Sequence, residues 1–339
     1  MKRGLVEWDR RELSPEALEA RLSQLRSLLA ERDLDAAVCY TSVAQPVLVR
    51  YLTQFLPYWN EGVLVVPRDG EPLLLVALTN RVVPWIKGSS NLTEVRASRD
   101  LGGDAARWLA GRAARRVAVA DRRSFPYRAL AALESELGPG AVVELPELAS
   151  SLRLAADADE RRLRAQARRL ALRAMDDLGE GVAGRSDHQI AGQADRTLRL
   201  AGAEDTLILV GPAGTWPGLP CGAPLGERAH VVVQVEYKGH WVQLGRTLGA
   251  KDAATGWQAR LASLCAPGRP VSEALAEARG RDGVELYLWG AGLGHPFRAL
   301  DETEIIAPGD IVGALAFSPT TRDLYGETYA VEAQGASVV

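Results

Sequence analysis

Leu207–Leu248 reads LILVGPAGTWPGLPCGAPLGERAHVVVQVEYKGHWVQLGRTL, and its punctuation decides the architecture of the second half of the chain. The apolar run Leu207–Val210 enters a Gly/Pro-rich turn carrying Trp216 and Cys221. A second run, Val231–Tyr237, turns at Lys238-Gly239 into a third, Trp241–Leu248. Short apolar runs bounded by glycine and proline read as strands. The stretch therefore predicts a loop held above a β-hairpin.

The remainder of the chain sets bounds on what surrounds that hairpin. At 339 residues, two domains are expected, with roughly three quarters of the unfolded surface buried. Hydrophobic residues at 47%, charged residues at 24% and a net charge of −3 give no reason to expect nucleic acid or an anionic membrane as partner. No apolar run is long enough to span a bilayer, and MKRGLVEWDR lacks a signal-peptide core, so a cytoplasmic protein is expected. Cys39, Cys221 and Cys265 are widely spaced, which supports neither a disulfide framework nor a cysteine zinc site. The arginine-rich runs Arg112–Arg116 and Arg161–Arg173 alternate with Ala and Leu and read as solvated helix faces.

In chain order, Pro15–Arg32 carries leucines at helical spacing behind a Ser14 cap. Asp35–Tyr40 reads as a buried strand, and Leu48–Phe55 leads to the aromatic turn Pro57-Tyr58-Trp59-Asn60. A hairpin is expected from Glu61–Val66 and Pro72–Ala77 across Arg68-Asp69-Gly70. Helices at Asn80–Lys87, Gly103–Arg112 and Tyr127–Glu136 alternate with strands at Val117–Asp121 and Ala141–Glu144, which predicts an α/β domain over residues 1–150. Residues 151–339 form the second domain. It opens with a long helix, Asp157–Leu178, and a second helix capped by Ser186. A similar helical pair recurs around Gly256–Leu264 and Ser272, a weak internal repeat. Strands at Val284–Leu288, Asp310–Phe317 and Thr328–Val331 complete the sheet.

Leu219-Pro220-x-Gly222-x-Pro224, Gly239 after a tyrosine and Arg246-Thr247 resemble the creatinase/prolidase/methionine-aminopeptidase family. The order helix, strand, RYLTQF, EGVLVVP is similar to the creatinase N-terminal domain. The resemblance implies an α/β creatinase-like N-terminal domain followed by an α+β pita-bread C-terminal domain with a pseudo-two-fold repeat. It also implies a homodimer in which the N-terminal domain lends a loop, here Leu56–Asn60, to the partner's active site. The creatinase arginine in that loop corresponds to Trp59, a candidate substrate contact.

Most members of the family hold two divalent ions on two Asp, one His and two Glu, about 3.5–4 Å apart and sharing an activated water. Carried over by motif, the two aspartates fall on Val232 and Gln243 and the histidine on His295 of Gly294-His295-Pro296-Phe297. The glutamates fall on Leu315 and Gly326, and a slip of one residue would return Glu327 to the last position. No metal and no other cofactor is therefore expected. Creatinase itself works without metal, but its acid/base histidine corresponds to Cys221, and two of its glutamates to Gly245 and Leu315.

What the resemblance leaves in the cleft is Cys221, His295 and Glu327 as candidate catalytic groups. Gln243, Arg246, Trp216, Trp241 and Tyr237 are candidate substrate contacts, with Trp289 as a further lining residue. A thiol beside an imidazole can form a thiolate–imidazolium pair, and amides of Gly218–Gly222 offer an oxyanion site. His188, His230 and His240 are expected to be exposed, and Glu236 faces either cleft or solvent. The leading reading is a metal-independent hydrolase or lyase acting on a C–N bond of a small substrate. The alternatives are a non-catalytic pseudoenzyme binding a ligand or partner in the same cleft, and a metal-dependent Xaa-Pro peptidase.

Overall fold

The computed structural model describes residues 8–57, 59–120, 122–123, 125–146, 148, 152, 156–179, 181–249, 256–291 and 298–339. His295 lies outside these residues. The chain divides into two compact units at the boundary between Leu154 and Ala155.

The first unit is built on a six-stranded sheet. Its strands are β1 (Ala36–Ser42), β2 (Glu61–Pro67), β3 (Leu73–Val76), β4 (Glu94–Ala97), β5 (Val117–Val119) and β6 (Val142–Glu144), in the order β4-β3-β2-β1-β5-β6. β1–β2 and β2–β3 pair antiparallel, and β1–β5, β3–β4 and β5–β6 pair parallel. The helices are α1 (Pro15–Glu31), α2 (Val47–Thr53), α3 (Val83–Gly88), α4 (Leu101–Ala110) and α5 (Tyr127–Leu137). α1 starts where Ser14 accepts a hydrogen bond from the Ala17 amide, satisfying one of the unpaired N–H groups of the first turn. α4 packs closely on α5 because position 102 is glycine. A Cβ there would lie 2.5 Å from Ala129 Cα, well inside van der Waals contact.

The second unit is one antiparallel sheet with helices on one face. Its strands are β7 (Asp205–Pro212), β8 (Ala229–Tyr237), β9 (His240–Leu248), β10 (Glu285–Gly290), β11 (Arg298–Ala299), β12 (Ile311–Ser318), β13 (Asp323–Glu332) and β14 (Gly335–Val338). The order is β11-β10-β12-β13-β9-β8-β7, with β14 on β13. Four helices accompany it: α6 (Ala158–Leu178), α7 (Asp187–Leu200), α8 (Trp257–Leu264) and α9 (Val271–Asp282). α6 and α7 pack on β7–β9, and α8 and α9 pack on β10, β12 and β13. Each half is thus a helical pair followed by an antiparallel ribbon, and the curled sheet is the expected pita-bread arrangement. The β8–β9 hairpin closes at Lys238 and Gly239, both at positive φ, the two-residue turn whose twist suits a hairpin. β13 begins at Asp323, five residues before the expected strand start at Thr328. That extension brings Tyr325, Gly326 and Glu327 into the sheet.

Alanine in place of a helical glycine usually gains up to about 1 kcal/mol. At position 102 the Ala129 backbone outweighs that gain, and Gly102→Ala is expected to lower stability by about 1–3 kcal/mol. Urea denaturation reads this as a lower midpoint, and an unchanged or higher midpoint would show that α4 does not depend on this close approach.

Candidate functional site

Side chains of a strand alternate between faces, so the pairing registers sort every residue of the second sheet. Val231, Val233, Val235, Val242 and Leu244 pack with Ala167, Leu170 and Ile190 of α6 and α7. That is the helix-covered face. The neighbours of these residues in sequence point to the other, helix-free face.

One row on the helix-free face runs Leu209, Val232, Gly245, Gly326, Leu315, Tyr287 across six strands. Leu315 covers both glycines: a Cβ at Gly245 would stand 2.7 Å from Leu315 Cδ2, and one at Gly326 closer still. Val232, Leu315, Phe317 and Leu324 form a buried apolar cluster against which Leu209 and Trp216 pack. Trp216 donates its indole N–H to Glu285 Oε2 at 2.7 Å and meets Tyr287 edge-on at 4.4 Å between ring centroids. The next row holds Gln234, Gln243, Thr328, Gly313 and Trp289. Gln234 Nε2 donates to Gln243 Oε1 at 2.6 Å, and Thr328 Oγ1 accepts from the Gln243 amide at 2.8 Å. Beyond it stand Glu236 and Trp241. Trp241 joins an apolar cluster with Ala291 and Ile311, and Trp289 packs against it. Gln243, Trp241 and Trp216 therefore share the face on which they were expected. Glu236 belongs to this face too and is buried.

Glu327, Arg246 and Tyr237 do not share it. The register Gly326↔Gly245 places Gly326 on the helix-free face and turns Glu327 through the sheet. Glu327, 0% exposed, is gripped by Arg168 of α6 through Nε at 3.1 Å and Nη2 at 3.0 Å, and by Arg246 Nη2 at 3.3 Å. Arg246 also donates to the Gly326 carbonyl at 2.6 Å and lies 4.2 Å over the Tyr325 ring. The hydrogen bond that Arg168 donates to Glu327 raises the Arg168 pKa and keeps that guanidinium charged. Tyr237 packs against the α6–α7 core. The arginine run of α6 is likewise not a wholly solvated face: Arg164 is 1% exposed and pairs with Glu160 at 2.9 Å.

Cys221 stands in the exposed loop between β7 and β8. The loop is tied to the start of α7, where Ser186 and Gln189 form a capping box. Asp187 accepts the amides of Cys221 at 2.9 Å, Gly222 at 2.8 Å and His188 at 2.6 Å, with Cys221 Sγ at 3.5 Å. These bonds, the Cys221 amide first, hold the Asp187 pKa down at about 2. The Gly218 amide goes to the Val210 carbonyl at 3.3 Å. The amides of Gly218, Cys221 and Gly222 are thus already engaged and do not form the expected oxyanion site. His188, exposed as expected, lies beside Gly222.

His230 and His240 are buried rather than exposed. The β7–β8 loop closes over His230, which accepts the Gly214 amide on Nε2 at 2.9 Å. Its Nδ1 lies 3.0 Å from Thr247 Oγ1, so Nδ1 carries the proton of a neutral ring. Burial and Arg228 push its pKa down to about 4. Nothing in the sequence pattern marked His230, because a histidine ending an apolar strand looks the same buried or exposed. Trp59 is 61% exposed between α2 and β2. No helix among the described residues is long and apolar enough to cross a membrane.

Residues 21–155 match the family model for the creatinase/prolidase N-terminal domain. The whole fold is similar to solved structures. An X-Pro aminopeptidase from Thermotoga maritima MSB8 superposes with a TM-score of 0.75 at 16% identity, over 94% of this chain and 96% of that one. A prolidase from Pyrococcus furiosus gives 0.72 at 16% identity, over 94% and 98%. An Xaa-Pro dipeptidase from Bacillus anthracis gives 0.72 at 17% identity, over 95% and 97%. No curated protein matches the sequence.

Two consequences of this geometry can be measured. Removing the Glu327 carboxylate strands two guanidiniums, so Glu327→Ala is expected to cost about 3 kcal/mol of stability, read as a lowered melting temperature. An unchanged melting temperature would free Glu327 from a structural role. For His230, the folded pKa lies below the ordinary value near 6.5. Its contribution is therefore present above pH ~6.5 and lost as pH falls through about 4. Melting temperature should decline over that window and decline less in His230→Asn, while an identical profile in the variant would assign the acid sensitivity elsewhere.

Proposed function

We propose that this chain uses the pita-bread fold without a metal pair, as a creatinase-like hydrolase or lyase acting on a C–N bond of a small substrate at the helix-free face. The observation that supports this most is the packing of Leu315 over Gly245 and Gly326 beside Val232. Two dications need several anionic or imidazole donors converging on one volume. Val232, Leu315 and Gly326 supply none, Gln243 supplies one neutral amide, and the described residues contain no group of three or more His, Cys, Asp or Glu able to hold a metal. The residues present do not fit a dinuclear centre. The solved neighbours are named as Xaa-Pro peptidases, but that activity would require the donors this row has replaced.

Cys221 is the proposed nucleophile or acid/base. Asp187 lies beside its thiol, and His295, outside the described residues, is its proposed partner. Gln243 and Trp241 would contact the substrate. Glu327 and Arg246 bind each other on the helix-covered face and take no part. The exposed Trp59 suits the proposed homodimer, in which it would reach the partner's cleft. A second reading, a non-catalytic binding protein, is favoured by the engagement of the loop amides with Asp187 and Val210.

Elemental analysis of the purified protein tests the first point. Substoichiometric transition metal and a melting temperature indifferent to chelator are expected, and two tightly held equivalents would overturn the proposal. Alkylation across pH then separates the two readings. Burial raises the Cys39 and Cys265 pKa values to about 12, so labelling below neutral pH reports Cys221. Reactivity above that of free cysteine supports catalysis, and reactivity no greater supports the binding protein.

A further inference from the structure

Among the described residues, four buried side-chain atoms on the helix-free face have no hydrogen-bond partner: Gln234 Oε1, Gln243 Nε2, Trp241 Nε1 and Trp289 Nε1. Gln243 is 0%, Trp241 3% and Gln234 4% exposed. An unmade hydrogen bond on a buried polar group is costly, and folded proteins leave few such groups. Here they fall on two adjacent rows of one sheet face, Gln234–Gln243–Thr328–Gly313–Trp289 and Glu236–Trp241–Ala330–Ile311. Other polar groups on the same rows are provided for. Thr328 Oγ1 exchanges hydrogen bonds with the Gln243 backbone at 2.8 and 3.0 Å, and Glu236 has a partner of its own.

We infer that these two rows form a binding site for an uncharged amide or urea group. The unpaired set is one carbonyl acceptor and three N–H donors. A carboxamide or urea offers an N–H to the acceptor and a carbonyl oxygen whose two lone pairs meet two of the three donors. The inventory does not depend on how the two glutamine amides are oriented. Turning both over keeps their mutual bond and still leaves one amide oxygen and one amide nitrogen free. Charge selects against the alternatives. These two rows carry no arginine or lysine, so a carboxylate would be buried without a counter-ion and would face Gln234 Oε1. An ammonium group would find, besides Glu236 with its own partner, one acceptor and three repelling N–H groups. Ala291, Ile311 and Ala330 give the ligand an apolar flank, the usual make-up of a small-molecule site.

This inference deepens the proposed function, resting on its reading of the helix-free face as the ligand face, but its test reads neither metal nor turnover. In the 1H–15N spectrum of the full chain, the Trp241 and Trp289 indole signals are identified with Trp241→Phe and Trp289→Phe. The probes are acetamide and N-methylurea, against methyl acetate, acetate and methylammonium at equal millimolar concentrations. Saturable shifts of both indole signals with the first two, and none with the other three, are expected. Silence towards acetamide and N-methylurea would overturn the inference, as would an equal response to acetate or methylammonium. Gln234→Leu/Gln243→Leu removes the polar pair at similar volume, which can leave stability unchanged. That variant should keep dispersed indole signals and lose the acetamide response, and a retained response would overturn the assignment. Bound metal with an acetamide response would sink the proposed function alone, while silent probes on a metal-free chain would sink this inference alone.

Discussion

The junction of β9 and β13, where Gly245 faces Gly326, is the constraint on which the second unit depends. It joins the two halves of the sheet, and its register sets which face every side chain of both ribbons takes. A slip of one residue would carry the Tyr325, Tyr329 and Val331 core to the wrong side and bring Glu327 out beside Leu315. The helix-side packing of Tyr325 and Tyr329 and the grip of Arg168 and Arg246 on Glu327 oppose that slip. Two glycines at the crossing let Leu315 lie flat over the junction, so the same pair that permits the register also creates the apolar floor.

Charge is partitioned by that floor. Among the described residues, deeply buried ion pairs of this unit join Arg164 to Glu160, and Arg168 and Arg246 to Glu327, on the helix-covered face. Burying the Glu327 carboxylate is tolerable there because the Arg168 guanidinium meets both its oxygens. On the opposite face the central rows carry Val, Leu, Gly, Gln, Thr and Trp, with Glu236 as a buried acid beside Trp241. Apart from Glu236, these rows present oriented neutral dipoles, whose stabilising reach is short and depends on a partner of matching shape.

The sequence shows the fold readily because each element announces itself locally. Ser14 caps α1, Ser186 caps α7, and Lys238-Gly239 closes the β8–β9 hairpin with two positive φ values. The positions to which the resemblance carries the family's ligands, Val232, Gln243, Leu315 and Gly326, are equally legible, since they are counted from a turn glycine or a motif. What the sequence hides is sidedness. Glu327 and Gly326 differ by one position, and only the register at Gly245 says which reaches the cleft. Arg168 sits in a run that looks uniformly solvated, although two of its arginines turn inward. Engagement is hidden too: Cys221 and Gly222 look like free loop amides until Asp187, more than thirty positions earlier, is found accepting both.

The neutral residues in the central row of the helix-free face are physically coherent only as a set. One carboxylate left among Val232, Gly245, Leu315 and Gly326 would be a buried charge with no cation and no donor, costing more than the interactions it replaced. Glu327 shows the condition under which an acid persists next to this row: it is one residue out of phase, so the sheet delivers it to two arginines. Gln243 shows the other way out. It carries no charge, and its amide holds a donor that Gln234 and the backbone do not use. An apolar plug beside a partly satisfied amide pair is a costly core if nothing binds, because half-satisfied polar groups are worse than an apolar filling. It becomes an economical arrangement when a small neutral ligand supplies the missing partners.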